Sequence, residues 1–170
     1  NMPGIETGRF VFRSGPTMAS SDNVSIRLKG RGGHGAFPHQ SVDPLVAAST
    51  IVIALQTIVA RNVDPLKTAV VTVGSMHAGQ ANNVIPEEAS LELSVRALDA
   101  DVRVLLKSRI IDLVKFQAAS FGVEASIDWN DGYAVLVNTP KETNLATEVA
   151  LKLFGAVKVE PNSPMFTASV

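Results

Sequence analysis

Asn23-Val24-Ser25-Ile26-Arg27-Leu28-Lys29-Gly30-Arg31-Gly32-Gly33-His34-Gly35-Ala36-Phe37-Pro38-His39 decides how the chain is read. Its first seven residues alternate. Val24, Ile26 and Leu28 are apolar and Ser25, Arg27 and Lys29 are polar, the period-two pattern of a strand with one buried face. The next ten hold four glycines, one proline and two of the chain's three histidines. Beyond them, from Asp43-Pro44, the apolar spacing becomes helical. The stretch is therefore a strand-to-helix connection that carries an imidazole on a glycine-bracketed backbone. Glycine lets another group approach the main chain closely, and histidine is the side chain best suited to move or donate a proton near neutral pH. Locally, a functional loop and a surface turn with an incidental histidine both remain open.

Working outward, residues 8–13 read as a short strand and Ser14-Gly15-Pro16 as its closing turn. Residues 17–22 read as a crossing segment. After the loop, Asp43 at the N-cap and Pro44 in the first turn predict a helix. Leu45, Ala48, Val52, Leu55 and Val59 form its apolar stripe, while Val46, Ile51, Ile53 and Ile58 make the other face apolar too. A helix apolar nearly all round is buried on more than one side, so a partner surface is expected there. Asn62 to Leu66, with Pro65, ends the helix. Residues 68–75 are β-rich, and residues 77–86 read as a second loop. Residues 88–97 alternate Ala89, Leu91, Leu93 and Val95 against Ser90, Glu92, Ser94 and Arg96. Asp99 caps a helix over residues 100–121 with Val102, Leu105, Leu106, Ile110, Leu113, Val114 and Phe116 inward, and Gly122 ends it. Val123, Ala125, Ile127 and Trp129 share one face of a final strand.

The order over residues 20–131 is β-α-β-β-α-β. It predicts an α+β fold, a ferredoxin-like sandwich with an antiparallel sheet and two helices on one face. Outside it, Thr139-Pro140 opens a helix over residues 141–154 with Leu145, Val149 and Leu153 on one side, and residues 158–161 suggest a strand. Residues 1–19 and 132–170 flank the complete unit without forming one. They are expected to be two pieces of a second, interrupted domain, with residues 20–131 inserted in it.

Bulk composition bounds the function. The 170 residues include 15 basic and 16 acidic side chains, a net charge of −1, which argues against a nucleic-acid surface driven by charge. The absence of cysteine removes disulfides, thiolate metal sites and a thiol nucleophile, and fits a cytoplasmic setting. The longest apolar run, residues 51–55, is too short to span a bilayer, so no membrane partner is expected. The chain opens Asn1-Met2-Pro3-Gly4 and looks cut there.

The glycine/histidine loop together with Val42-Asp43-Pro44 resembles the M20 metallopeptidase and amidohydrolase family, in the branch of hippurate hydrolases, N-acyl-amino-acid amidohydrolases and auxin-conjugate hydrolases. Asn1-Met2-Pro3-Gly4, residues 56–65, Ser163-Pro164-Met165, and Asn82-Asn83-Val84-Ile85-Pro86-Glu87-Glu88-Ala89 with Arg96 are similar to further motifs of that branch, in the same order. The resemblance implies a metal-bearing catalytic domain interrupted by a smaller βαββαβ dimerisation domain, or lid. It implies that His34 reaches into the partner subunit's active site of a homodimer and polarises the scissile carbonyl. It also implies that Asn83 hydrogen-bonds the substrate and that Arg96 grips its carboxylate. Gly33 and His39 fall at matching positions beside the substrate. Divalent metal ions of the zinc or manganese type are implied for the intact enzyme, together with a small-molecule amide substrate. The family's metal ligands and catalytic glutamate have no counterparts in these 170 residues, so the fragment alone is expected to bind no metal and to be inactive. His77 is expected to be structural, and Glu87 and Glu88 solvated. Two functions stay open: the dimerisation and substrate-gating part of an amidohydrolase acting on N-acyl amino acids, and a stand-alone ferredoxin-like oligomerisation or regulatory module.

Overall fold

The structure is a computed structural model and describes residues 4–166. Asn1, Met2 and Pro3 of the N-terminal motif and residues 167–170 lie outside the described residues. In chain order the elements are β1 (Phe10–Val11), β2 (Gly15–Met18), β3 (Asp22–Lys29), β4 (Gly33–His34), a 3-10 turn (Pro38–Gln40), α1 (Pro44–Asn62), β5 (Ala69–Ala78), β6 (Val84–Ile85), β7 (Glu88–Ala97), α2 (Ala100–Ser120), β8 (Glu124–Asn130), β9 (Leu136–Asn138), α3 (Pro140–Phe154) and β10 (Val159–Glu160).

β5, β7, β3 and β8 form one sheet in that order, and every pairing is antiparallel. α1 lies over β5 and β7 and α2 over β8 and β7, on the same face. This is the ferredoxin-like arrangement. The alternation that predicted β3 is the physical cause of the packing: Val24, Ile26 and Leu28 are fully buried, as are Leu91, Val95 and their neighbours on β7. Ser25, Arg27, Ser90 and Glu92 face away, and Ser25 Oγ donates to Glu92 Oε2 at 2.6 Å.

Both helices start where capping chemistry places them. Asp43 Oδ1 accepts from the Leu45 and Val46 amides at 2.9 and 3.4 Å, and Asp99 Oδ1 from Asp101 and Val102 at 2.9 and 3.2 Å. α2 ends at Gly122, whose φ of +70° is the left-handed conformation that glycine adopts freely.

The buried stripe of α1 is rotated from the expected one. Ala47, Ala48, Ile51, Leu55 and Ile58 are buried, Val52 and Val59 sit at its margin, and Val46 and Ile53 face outward at 44% and 71% exposure. Spacing alone gave two overlapping stripes, and packing on the sheet selects one. On α2 the core residues are Val102, Leu106, Ile110, Val114 and Ala118, while Phe116 points away at 74% exposure. α1 also has the length and apolarity to cross a membrane, with mean hydropathy 1.6 over its window, which uninterrupted apolar runs did not reveal. Here its buried stripe packs on the sheet as a core helix.

Three further differences concern strands. Gly15–Met18 is a strand, not a turn and a crossing, and pairs antiparallel with β9. The pairing supplies the order that the Gly-Pro sequence disfavours. β5 runs on through a register shift between Val73 and Ser75, so His77 lies on the strand opposite Ser90, not in a loop. The first strand is only Phe10–Val11, parallel to β10.

The flanking segments enter the sandwich at one end of the sheet. Ser20 N–H donates to Ala97 O at 2.8 Å, and the Ala97 amide donates back to Ser20 Oγ at 3.2 Å. Asp22, 1% exposed, accepts a two-pronged hydrogen bond from Arg103 at 2.5 and 2.9 Å and one from the Gly132 amide at 3.0 Å. This single carboxylate ties both crossing segments to α2. α3 buries only Ala150, and its Leu145, Val149 and Leu153 are exposed.

Candidate functional site

The glycine/histidine loop folds back on the segment around Asn83. β4 and β6 pair antiparallel, with Gly33 opposite Ile85 and His34 opposite Val84. Gly35 N–H donates to Asn83 O at 2.7 Å, and Gly30 N–H to Glu87 O at 2.9 Å. The glycines permit this approach. A Cβ on Gly32 would stand 3.0 Å from Ile85 O, and one on Gly35 3.1 Å from Asn83 O. The two segments named from sequence as sources of the histidine and the asparagine are thus joined through their backbones.

His34 is exposed, and its Nδ1 accepts the Ala36 N–H at 3.1 Å. A ring nitrogen that accepts carries no proton, so the neutral imidazole bears its proton on Nε2. Nε2–H makes no hydrogen bond among the described residues and is free to donate outward. Sequence reasoning passed over Ala36, because a main-chain donor leaves no mark in residue type. The Phe37 ring lies 5.7 Å from the imidazole and 6.4 Å from the His39 ring. His39 is exposed, its Nε2 3.4 Å from the Gln40 side-chain Nε2, on the 3-10 turn rather than in the groove. Asn83 is exposed, and its carboxamide has no partner among the described residues. Beside them runs an open groove of about 580 Å³ lined by Arg31, Gly32, Gly33, His34, Val84, Ile85, Pro86 and Glu87.

Arg96 is not in this cluster. It lies near the far end of β7, on the polar face, next to the Ala97 that bonds Ser20. Eight residues separate it from Glu88, which at strand spacing is about 26 Å. So His34, Gly33 and Asn83 stand together at one end of the sheet, and Arg96 stands at the end where the flanking segments enter. Glu87 and Glu88 are exposed, as expected of solvated carboxylates.

A family profile described as a peptidase dimerisation domain matches residues 20–121, more than half of the chain. The chain belongs to the M20 family. It is 43% identical to a hippurate hydrolase of Campylobacter jejuni over 169 residues, covering 99% of this chain and 44% of that protein. It is 38% identical to an N-acetyl-L-cysteine deacetylase of Bacillus subtilis over 152 residues, 89% of this chain and 36% of that protein. Among solved structures, a Bacillus subtilis protein described as a dinuclear metal-binding peptidase of the M20 family superposes with a TM-score of 0.75 at 26% identity, over 99% of this chain and 41% of that one. The M20 chain described here thus spans less than half the length of these relatives. Among its described residues, no three His, Cys, Asp or Glu side chains come together to hold a metal ion. The donor set of a dinuclear centre does not fit the described residues, and the groups gathered around His34 are hydrogen-bonding ones.

Proposed function

We propose that residues 20–131 are the dimerisation and substrate-gating part of an amidohydrolase that cleaves the amide bond of N-acyl amino acids or similar conjugates. In this reading residues 1–19 and 132–170 belong to its catalytic domain, and His34 serves the partner subunit's active site. One observation carries the reading: the outward Nε2–H donor of His34 and the unpartnered Asn83 carboxamide share one end of the sheet, about 26 Å of strand from Arg96. An N-acyl amino acid is far shorter than that. A single chain cannot close both groups on one substrate, but an isologous dimer can bring the histidine end of one chain to the arginine end of the other.

The chemistry follows from the groups. When water attacks an amide, negative charge develops on the carbonyl oxygen. A fixed neutral donor such as His34 Nε2–H stabilises that charge without reorganising, a contribution of about 3–4 kcal/mol. Asn83 offers a second hydrogen-bonding group to the same substrate. Arg96 carries the planar fork that suits a carboxylate. The names of two relatives, a hippurate hydrolase and an N-acetyl-L-cysteine deacetylase, support N-acyl amino acids as the substrate class. Divalent ions of the zinc or manganese type are, in this reading, held elsewhere in the intact enzyme.

In the intact protein, His34→Ala is expected to lower kcat by about 10²–10³-fold while metal content and assembly stay unchanged. Turnover near that of the unaltered protein would contradict the reading and leave the unit an oligomerisation module.

A further inference from the structure

His34 has two apolar neighbours that the core does not use. Phe37 and Val84 are each 52% exposed, and neither belongs to the hydrophobic cluster under the helices. Val84 stands directly opposite His34 in the β4–β6 pair. Residues opposite each other across an antiparallel pair project to the same face, with Cβ atoms about 5 Å apart. The Phe37 ring lies 5.7 Å from the imidazole, and the Phe37 amide donates to His34 O at 2.8 Å. The imidazole therefore has an aromatic ring and, across the strand pair, an aliphatic residue as neighbours. The backbone that holds all three is pinned by the glycine contacts to the Asn83 segment. Such pinning keeps an exposed apolar pair in place to meet something other than its own core.

We propose that Phe37 and Val84 form an apolar seat for the acyl group of the substrate, and so select acyl chains by size and apolarity. The inference rests on the reading that His34 donates to the scissile carbonyl oxygen. A group hydrogen-bonded to that donor through its carbonyl oxygen brings the substituents on the carbonyl carbon nearest to the imidazole. The amino-acid side carries the carboxylate and is drawn toward the arginine half of the site. The acyl side is left against Phe37 and Val84. Contact with these side chains also excludes water around His34 Nε2–H, which strengthens the hydrogen bond to the developing charge.

The test uses the intact dimeric enzyme and two amides of one amino acid, an N-benzoyl and an N-acetyl derivative. For Phe37→Ala, the benzoyl-to-acetyl ratio of kcat/KM should fall about tenfold or more, the scale at which an apolar pocket discriminates. Phe37→Leu should retain part of the preference. Val84→Thr, nearly the same shape but polar, should lower the ratio in the same direction and keeps the test open should Phe37→Ala fold poorly. An unchanged ratio in these variants would overturn the proposal, whether both substrates slow together, as a mere prop for the imidazole would give, or neither does. His34→Ala measured in parallel separates the layers. If that variant is inactive and the ratio does not move, only the acyl seat is wrong. If it remains active on both amides, the reading beneath it fails.

Discussion

The proton on His34 is placed by a backbone amide. Because Ala36 N–H occupies Nδ1, the ring presents Nε2–H to whatever approaches. The neighbouring asparagine differs from a structural residue in a way that can be measured. Its carboxamide is exposed and makes no hydrogen bond among the described residues, so Asn83→Ala should change unfolding stability by no more than a surface substitution does, about 0.5 kcal/mol. Its kcat/KM should fall by roughly 5- to 150-fold, a loss of about 1–3 kcal/mol, if the carboxamide meets the substrate. Thermal unfolding and steady-state kinetics on the same preparation check both halves. Gly30 makes the opposite case. A Cβ there would lie 2.2 Å from Val42 O, so main chain must move. Gly30→Ala should lower stability by about 1–3 kcal/mol, read by denaturant unfolding, and should disturb the loop that carries His34. The loop's glycines marked it in the sequence, but the pairing of Gly33 with Ile85 and of His34 with Val84 was not legible. Two-residue strands have no periodicity to read.

Among the elements, the junction of α2 with the crossing segments is held by one buried ion pair. Burial pushes the Asp22 carboxyl up, yet the Arg103 hydrogen bonds, the Gly132 amide and the charges of Arg103 and Lys107 outweigh it and hold the group below its ordinary value of 3.8. A carboxyl depressed in the folded state adds stability above its unfolded pKa, and that stability is lost as pH falls through the folded value. The protein should therefore lose stability from about pH 4 downward. In Asp22→Asn that component of the acid dependence should be missing. Equal acid profiles for the two proteins would contradict this. Arg103→Met leaves the carboxylate buried without its partner and should cost about 3–5 kcal/mol. The main elements were legible because alternation and capping agree: Val24, Ile26 and Leu28 are fully buried, and Asp43 and Asp99 start their helices. Phe116 was misplaced because an apolar side chain on a helix carries no label for which face is covered. Asp22 and Arg103, 81 residues apart, gave no sequence signal of their pairing.

At the scale of the molecule, the proposal requires a second copy to complete the site. Among the described residues β5 is an edge strand, paired with β7 alone, and α1 lies over it with Val46 and Ile53 turned outward. An open strand edge beside exposed apolar side chains is a surface suited to self-association. Ile53→Asp is expected to shift the intact protein from dimer to monomer in light scattering, and to remove activity along with the dimer. A dimer that persists would place the interface elsewhere. The separation of the proposed site residues was half legible: counting residues along β7 separates Arg96 from Asn83, but only the β4–β6 pairing shows that His34 shares the Asn83 end. The most direct test mixes two inactive variants of the intact enzyme, His34→Ala and Arg96→Ala, under conditions that exchange subunits. In a mixed dimer one site receives an intact histidine from one chain and an intact arginine from the other, while the second site lacks both. With random pairing, activity should return to about a quarter of that of the unaltered enzyme, since half of the dimers are mixed and each holds one complete site. No recovery, with mixed dimers demonstrably formed, would contradict the account.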